Sequence, residues 1–157
     1  MLRVMGDWAS LSADQWEALL HLPFAVHSSV TDADEGAAEA QFRAFRDEIE
    51  HGRSAFVEGT AGSELAGAVA GSLDVLWSAY RATGRSPEDV VKRGMKVLRK
   101  LPEDESVAIR DWLLMLGLRI AGATRTVGAP PVTWGEVYAL RDLARWLKRP
   151  VPDITEG

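Results

Sequence analysis

The sequence contains no cysteine, and several other features that mark particular classes of protein are also scarce. Without thiols, the chain cannot form disulfides, thiolate nucleophiles or cysteine-based zinc sites. Basic residues are outnumbered, 18 against 23 acidic ones, and the net charge is -5. This balance argues against nucleic acid as the main partner and against a polybasic membrane anchor. The most apolar run, Trp112 to Ala123, is interrupted by Gly117 and Arg119. It is shorter than the ~20 apolar residues of a membrane span, so it predicts a buried core helix.

The amino-terminal residues are too few and too polar for a signal peptide, and we expect a cytoplasmic protein. A length of 157 residues suits one domain, 1–157, with a core over about 11–148 and a frayed tail at 149–157. No segment alternates apolar and polar residues at a period of two, so strands are not expected.

Helix signals recur along the whole chain. Ser12 to Gln15 is a capping box, Ser86-Pro87 places serine at an N-cap and proline at N1, and Thr133 to Glu136 is a second capping box. Apolar residues at helical spacing follow each of them, and they also line a segment from Ser63 to Tyr80. The pattern predicts an all-α, single-domain bundle of about seven helices.

Short carboxylates cluster beside a glycine in the turn Asp32-Ala33-Asp34-Glu35-Gly36. Together with Glu39 they offer hard oxygen ligands for Ca²⁺ or Mg²⁺. The turn is not an EF-hand, because the sixth and twelfth positions counted from Asp32 are Ala37 and Arg43. The alternative is structural, since acidic residues at a helix amino terminus complement its dipole and cap free N–H groups.

The two halves of the chain carry similar motifs. In the first half, Pro23-Phe24 leads to Ala33-Asp34-Glu35-Gly36. The second half contains Leu101-Pro102, an apolar helix ending Ile120-Ala121-Gly122-Ala123, and Val132 to Glu136. These motifs resemble those of the TerB-like family of tellurite-resistance proteins, and the resemblance implies an all-helical fold whose halves form a rough internal two-fold repeat.

The family has been linked to metal binding through acidic residues and to stress responses. Asp34 matches its first acidic position, Gln41 stands where it has a glutamate, and Glu136 keeps the later glutamate. The resemblance implies a non-enzymatic tellurite-resistance or stress-response module that acts through a protein partner. A divalent cation (Ca, Mg or Zn) would bind weakly at Asp32, Asp34 and Glu39, with Glu136 as the pseudo-symmetric contribution.

Two other functions stay open. Glu48-Ile49-Glu50-His51 has the E-x-x-H spacing of di-iron bundles, so Glu48 and His51 could serve a small metalloenzyme. The glycine- and alanine-rich helix from Leu65 to Tyr80 could instead be the interface of a structural homodimer. The loop Gly59 to Ser63 could hold an anion before a helix, or it could be a flexible loop with a serine N-cap.

Overall fold

The computed structural model describes residues 7–32, 38–124 and 134–151, and their regular structure is entirely helical. The eight α-helices are α1 Ala13–Leu20, α2 Leu22–Thr31, α3 Ala38–His51, α4 Ala61–Gly71, α5 Leu73–Ala82, α6 Pro87–Leu98, α7 Glu103–Ala121 and α8 Trp134–Trp146. Short 3₁₀ turns span Asp7–Ser10, Gly52–Ala55 and Gly122–Thr124. The predicted all-α bundle is confirmed, while the internal two-fold repeat stays a prediction.

Two of the predicted helix starts are confirmed by their hydrogen bonds. Ser12 Oγ accepts from the Gln15 backbone N–H at 3.1 Å, and Gln15 Oε1 accepts from the Ser12 N–H at 2.9 Å. Ser86 Oγ accepts from the Asp89 N–H at 3.1 Å, with Pro87 in the first turn of α6. The third predicted cap, Thr133, lies outside the described residues.

The segment predicted as one helix from Ser63 to Tyr80 is two helices. Its N-cap is Thr60, whose hydroxyl accepts from the Ser63 N–H, and α4 ends where Ser72 adopts φ -139° and ψ 35°. A residue with these angles cannot continue an α-helix. The break accounts for an eighth helix where about seven were expected.

The glycines of α4 differ in how closely other residues approach them. A Cβ on Gly67 would lie 3.5 Å from the Arg53 side chain, an ordinary contact, and one on Gly71 would meet nothing within 4 Å. A Cβ on Gly62 would overlap the Phe56 side chain, and in α6 a Cβ on Gly94 would overlap the Leu22 side chain. Glycine at position 94 therefore lets α6 pack directly on α2.

The apolar helix α7 occupies the middle of the bundle, as its sequence predicted. It contacts α2, α3, α4 and α8. Ile109, Leu113, Leu116 and Ile120 are fully buried along it. Because neighbours surround it, α7 is apolar on most sides rather than along one stripe.

None of the helices in the described ranges combines the length and the apolar character that a membrane crossing requires.

Candidate functional site

The acidic turn falls partly outside the described residues, which exclude Asp34. Of the residues flanking it, Asp32 is exposed at the end of α2. The Glu39 side chain is 94% exposed and lies 3.8 Å from Arg43, one turn along α3. An exposed pair of this kind contributes little to stability.

Glu136, the predicted pseudo-symmetric ligand, lies in the core. It is 1% exposed, and its Oε2 accepts a hydrogen bond from Gln41 Nε2 at 2.8 Å. The pair joins α3 to α8 across 95 residues of sequence. Gln41 and Glu136 occupy the two positions at which the family resemblance expects a glutamate, one in each half of the chain. Here the neutral amide of Gln41 donates a hydrogen bond to the Glu136 carboxylate.

Within the described ranges, no three His, Asp or Glu side chains are grouped so that they could hold a metal ion. The cation site predicted at Asp32, Asp34, Glu39 and Glu136 stays a prediction.

The E-x-x-H residues are engaged by neighbours on the bundle surface. Glu48 Oε1 lies 2.9 Å from Arg119 Nε, which links α3 to α7. His51 Nδ1 lies 2.8 Å from the Asp47 carbonyl oxygen at the end of α3. These contacts give both side chains structural roles, and the metalloenzyme alternative stays a prediction.

Two histidines, His21 and His27, are buried, and His27 lies among several aromatic rings. His27 is 6% exposed, with ring centroids 4.9 Å from Phe45, 5.0 Å from Trp77 and 5.7 Å from Phe42. Neither of its ring nitrogens has a hydrogen-bond partner. Burial lowers the pKa of His27 to about 4, and burial also lowers the pKa of His21. Both rings are therefore neutral members of the core at pH 7.

The start of α4, after the glycine-rich loop, binds a carboxylate, which is the side chain of Glu105 in the same protein. The Ala61 N–H donates to Glu105 Oε1 at 2.8 Å, and Glu105 is 4% exposed. A carboxylate at a helix amino terminus complements the helix dipole and the free N–H groups. Glu105 of α7 therefore fixes the start of α4.

Positive charge is concentrated in a groove of about 450 Å³ between α6 and the end of α8, which we call the basic groove. It is lined by Glu88, Lys92, Met95, Lys96, Arg99, Arg145, Trp146 and Lys148. Met95 is buried and Trp146 is half-buried against the core, so the cations surround an apolar surface.

Some of these cations are paired and others are not. Lys92 pairs with Glu88, and Arg145 lies 2.7 Å from Asp142. The unpaired set makes no ion pair with any residue in the described ranges. It consists of Lys96, Arg99 and Lys148 in the basic groove, and of Arg93 on α6 and Lys100 just after α6 in the neighbouring groove.

Lys148 is held in a backbone conformation that usually belongs to glycine. Its φ is 53°, the only positive value of a non-glycine residue in the described ranges. The Lys148 N–H donates to the Arg145 carbonyl at 3.1 Å, and the Arg149 N–H donates to the Ala144 carbonyl at 2.9 Å. These two bonds form a Schellman motif, with lysine at the position where glycine is preferred.

Two residues of α7 contact the turn at Leu147 to Arg149 that ends α8. Arg110 Nη1 donates to the Leu147 carbonyl at 3.3 Å, and Arg149 Nε lies 2.6 Å from Asp111 Oδ1. The strained backbone at Lys148 is thus fixed by contacts to a central helix, which places its ammonium group at the basic groove.

A second groove of about 330 Å³ lies on the other side of α6, against α1. Its lining includes Arg93, Lys96 and Lys100 with one carboxylate, Asp14, and Lys96 also lines the basic groove. The two grooves therefore form one basic strip across α6.

Sequence reasoning overlooked this strip because the net charge is negative. Basic residues recur at helical spacing at positions 92, 93 and 96 of α6 and at positions 99 and 100 just after it, and that signal was available in the sequence. Arg145 and Lys148 join them only through the packing of α8 on α6.

Aromatic residues also line a third groove, between α1 and α4. Trp8 and Trp16 face it with ring centroids 6.1 Å apart, above Gly67 and Ala68. Trp8 Nε1 donates to the Gly59 carbonyl at 3.2 Å, which ties this ring to the loop before α4.

No family model, curated protein or solved structure matches the chain. The resemblance to TerB-like proteins stays a prediction.

Proposed function

We propose that this chain is a non-enzymatic helical module of TerB-like, stress-response type that acts by binding a protein partner at the basic groove. The observation that carries the proposal is the concentration of unpaired cations around Met95 and Trp146 on a chain of net charge -5. Protein interfaces combine an apolar centre with a charged rim, and this groove has both.

Contributions to the stability of the fold explain the positive charge of some groove residues but not of all. Lys96 lies in the last turn of α6 and Arg99 caps it, so both complement the negative end of the helix dipole. Lys148 has a strained backbone and no ionic partner among the described residues.

Site-specific photo-cross-linking tests the proposal. A photoreactive phenylalanine at Glu88 places the probe in the basic groove without removing a cation, and one at Val75 serves as the control. Val75 is 72% exposed on α5 and lies outside the groove. We expect a discrete protein adduct in the cells that produce this chain at Glu88, and none at Val75. No adduct at Glu88, or the same adducts at both positions, would contradict the proposal.

The proposed module also includes weak divalent-cation binding at Asp32, Asp34, Glu39 and Glu136. Exposed Asp32 and Glu39 on the two helices that flank the turn support this part. We expect titration with Ca²⁺ or Zn²⁺ to change tryptophan fluorescence saturably, and Asp34→Asn to abolish the change. Glu50→Gln, an exposed position elsewhere on α3, is the control. A response unaffected by Asp34→Asn but lost in His51→Ala would favour the metalloenzyme instead.

A further inference from the structure

We infer that the segment bound in the basic groove is an acidic peptide with an apolar side chain among its carboxylates. The inference rests on the proposed function and names the chemistry of the partner. Its basis is the juxtaposition of unpaired cations from α6 and α8 with an apolar surface formed by Met95 and Trp146.

The unpaired cations of α6 lie close enough together to repel one another. Lys96 lies three residues after Arg93 and four before Lys100, so these like charges repel one another along α6. Lys148 adds a further positive charge from the opposite wall of the groove. Carboxylates of a bound chain would relieve this repulsion, which makes the groove electrostatically complementary to an acidic segment.

The apolar surface favours a peptide over a nucleic acid. Half-buried Trp146 lines the groove together with the cations and with buried Met95, and an aliphatic side chain can pack against the exposed part of the indole ring. A phosphate backbone has no aliphatic side chain to pack there.

The strip also sets the extent of the bound segment. Because Lys96 lines both grooves, a chain that crosses α6 contacts the basic groove and then reaches Arg93 and Lys100. A helix with its side chains is roughly 10 Å wide, so the crossing takes at least ~3 residues of extended chain.

Fluorescence anisotropy with synthetic peptides tests this inference on the whole chain. The probe is a short fluorescein-labelled peptide in which glutamates flank a central leucine. Matched peptides replace every glutamate with glutamine, or the leucine with serine. We expect saturable binding of the first peptide that weakens with added salt, no binding of the glutamine peptide, and weaker binding of the serine peptide.

Charge-reversal variants then locate the site. Lys96→Glu/Arg99→Glu should reduce affinity about tenfold or more, since two attractive contacts become repulsive. Arg81→Glu/Arg141→Glu changes the net charge equally at exposed positions outside both grooves and should leave affinity within about twofold. Circular dichroism verifies that both variants are folded.

Three outcomes would overturn the inference. The first is equal loss of affinity in both double variants, which would show non-specific attraction. The second is tighter binding of labelled oligothymidine at physiological salt, which would identify a nucleic-acid site. The third is failure of the acidic peptide to bind while the Glu88 cross-link forms, which would remove the acidic partner but retain the proposed function. If no cross-link forms at Glu88 either, the proposed binding of a protein partner at the basic groove is also contradicted.

Discussion

The charged side chains inside the bundle and those of the basic groove differ in how completely they are paired. Inside, Glu105 receives the Ala61 N–H, Glu136 receives the Gln41 amide, and Arg110 donates to the Leu147 carbonyl. At the groove, Lys96, Arg99 and Lys148 have no ionic partner in the described part of the chain. Buried charges must be paired because desolvation is otherwise too costly. Exposed ones remain hydrated and free to bind another molecule.

The largest loss of stability is expected when a second negative charge is placed beside the buried carboxylate of Glu136. Gln41→Glu would place two carboxylates within hydrogen-bond distance in the core, which should cost ~4 kcal/mol of stability at neutral pH. Stability should partly recover in acid, where the two groups can share a proton, or with a divalent cation. Urea unfolding at several pH values measures this change.

Gln15→Glu is the matched control for that substitution. Gln15 occupies the N3 position of the capping box in α1, where glutamate is equally suitable. A similar loss of stability in both variants would show that the buried pair with Glu136 is not responsible.

The next largest loss of stability is expected in acid and is due to His27. Its pKa is about 4 in the folded protein against 6.5 for the free side chain, so the unfolded chain binds more protons between these values. The stability due to neutral His27 is complete above pH 6.5 and is lost as pH falls toward 4, by up to ~3 kcal/mol. We expect His27→Phe to be less sensitive to pH than the wild type over this window. Parallel stability–pH curves would contradict the assignment.

Removal of the interior cap of α4 should have an effect of similar or smaller size. Glu105→Ala leaves the buried Ala61 N–H unsatisfied and should cost ~2–3 kcal/mol. Asp104→Ala is the control, because that exposed side chain lies in the same first turn of α7, makes no ion pair in the described ranges and should cost under ~1 kcal/mol. Equal losses on chemical denaturation would show that the hydrogen bond to Ala61 contributes no special stability.

The smallest change in stability is expected at Lys148, where two substitutions should affect stability and peptide binding differently. Lys148→Gly relieves the positive φ and should raise stability by ~0.5–1 kcal/mol. The same change removes a cation from the basic groove and should weaken the acidic peptide. Lys148→Ala removes that cation but keeps the strain, so it should lose affinity without gaining stability. A glycine variant that binds as tightly as the wild type would remove Lys148 from the site.

The sequence by itself determined the helices, because the signals that begin them are local. A hydroxyl and the backbone N–H three residues later are brought together by a single helical turn, as at Ser12 and Ser86. Apolar spacing likewise identified α7 as the central helix. The break at Ser72 was missed because helical periodicity continues from α4 into α5.

Only the tertiary structure decided which polar groups meet. Gln41 and Glu136 are 95 residues apart, and Ala61 and Glu105 are 44 apart. The family resemblance made Glu136 a candidate metal ligand, whereas the packing of α8 on α2 and α7 places it against the Gln41 amide in the core. The basic groove depends on packing in the same way, since Arg145, Trp146 and Lys148 join its lining only because the end of α8 lies beside α6. Contacts between distant residues are set by how helices pack, which no local pattern encodes.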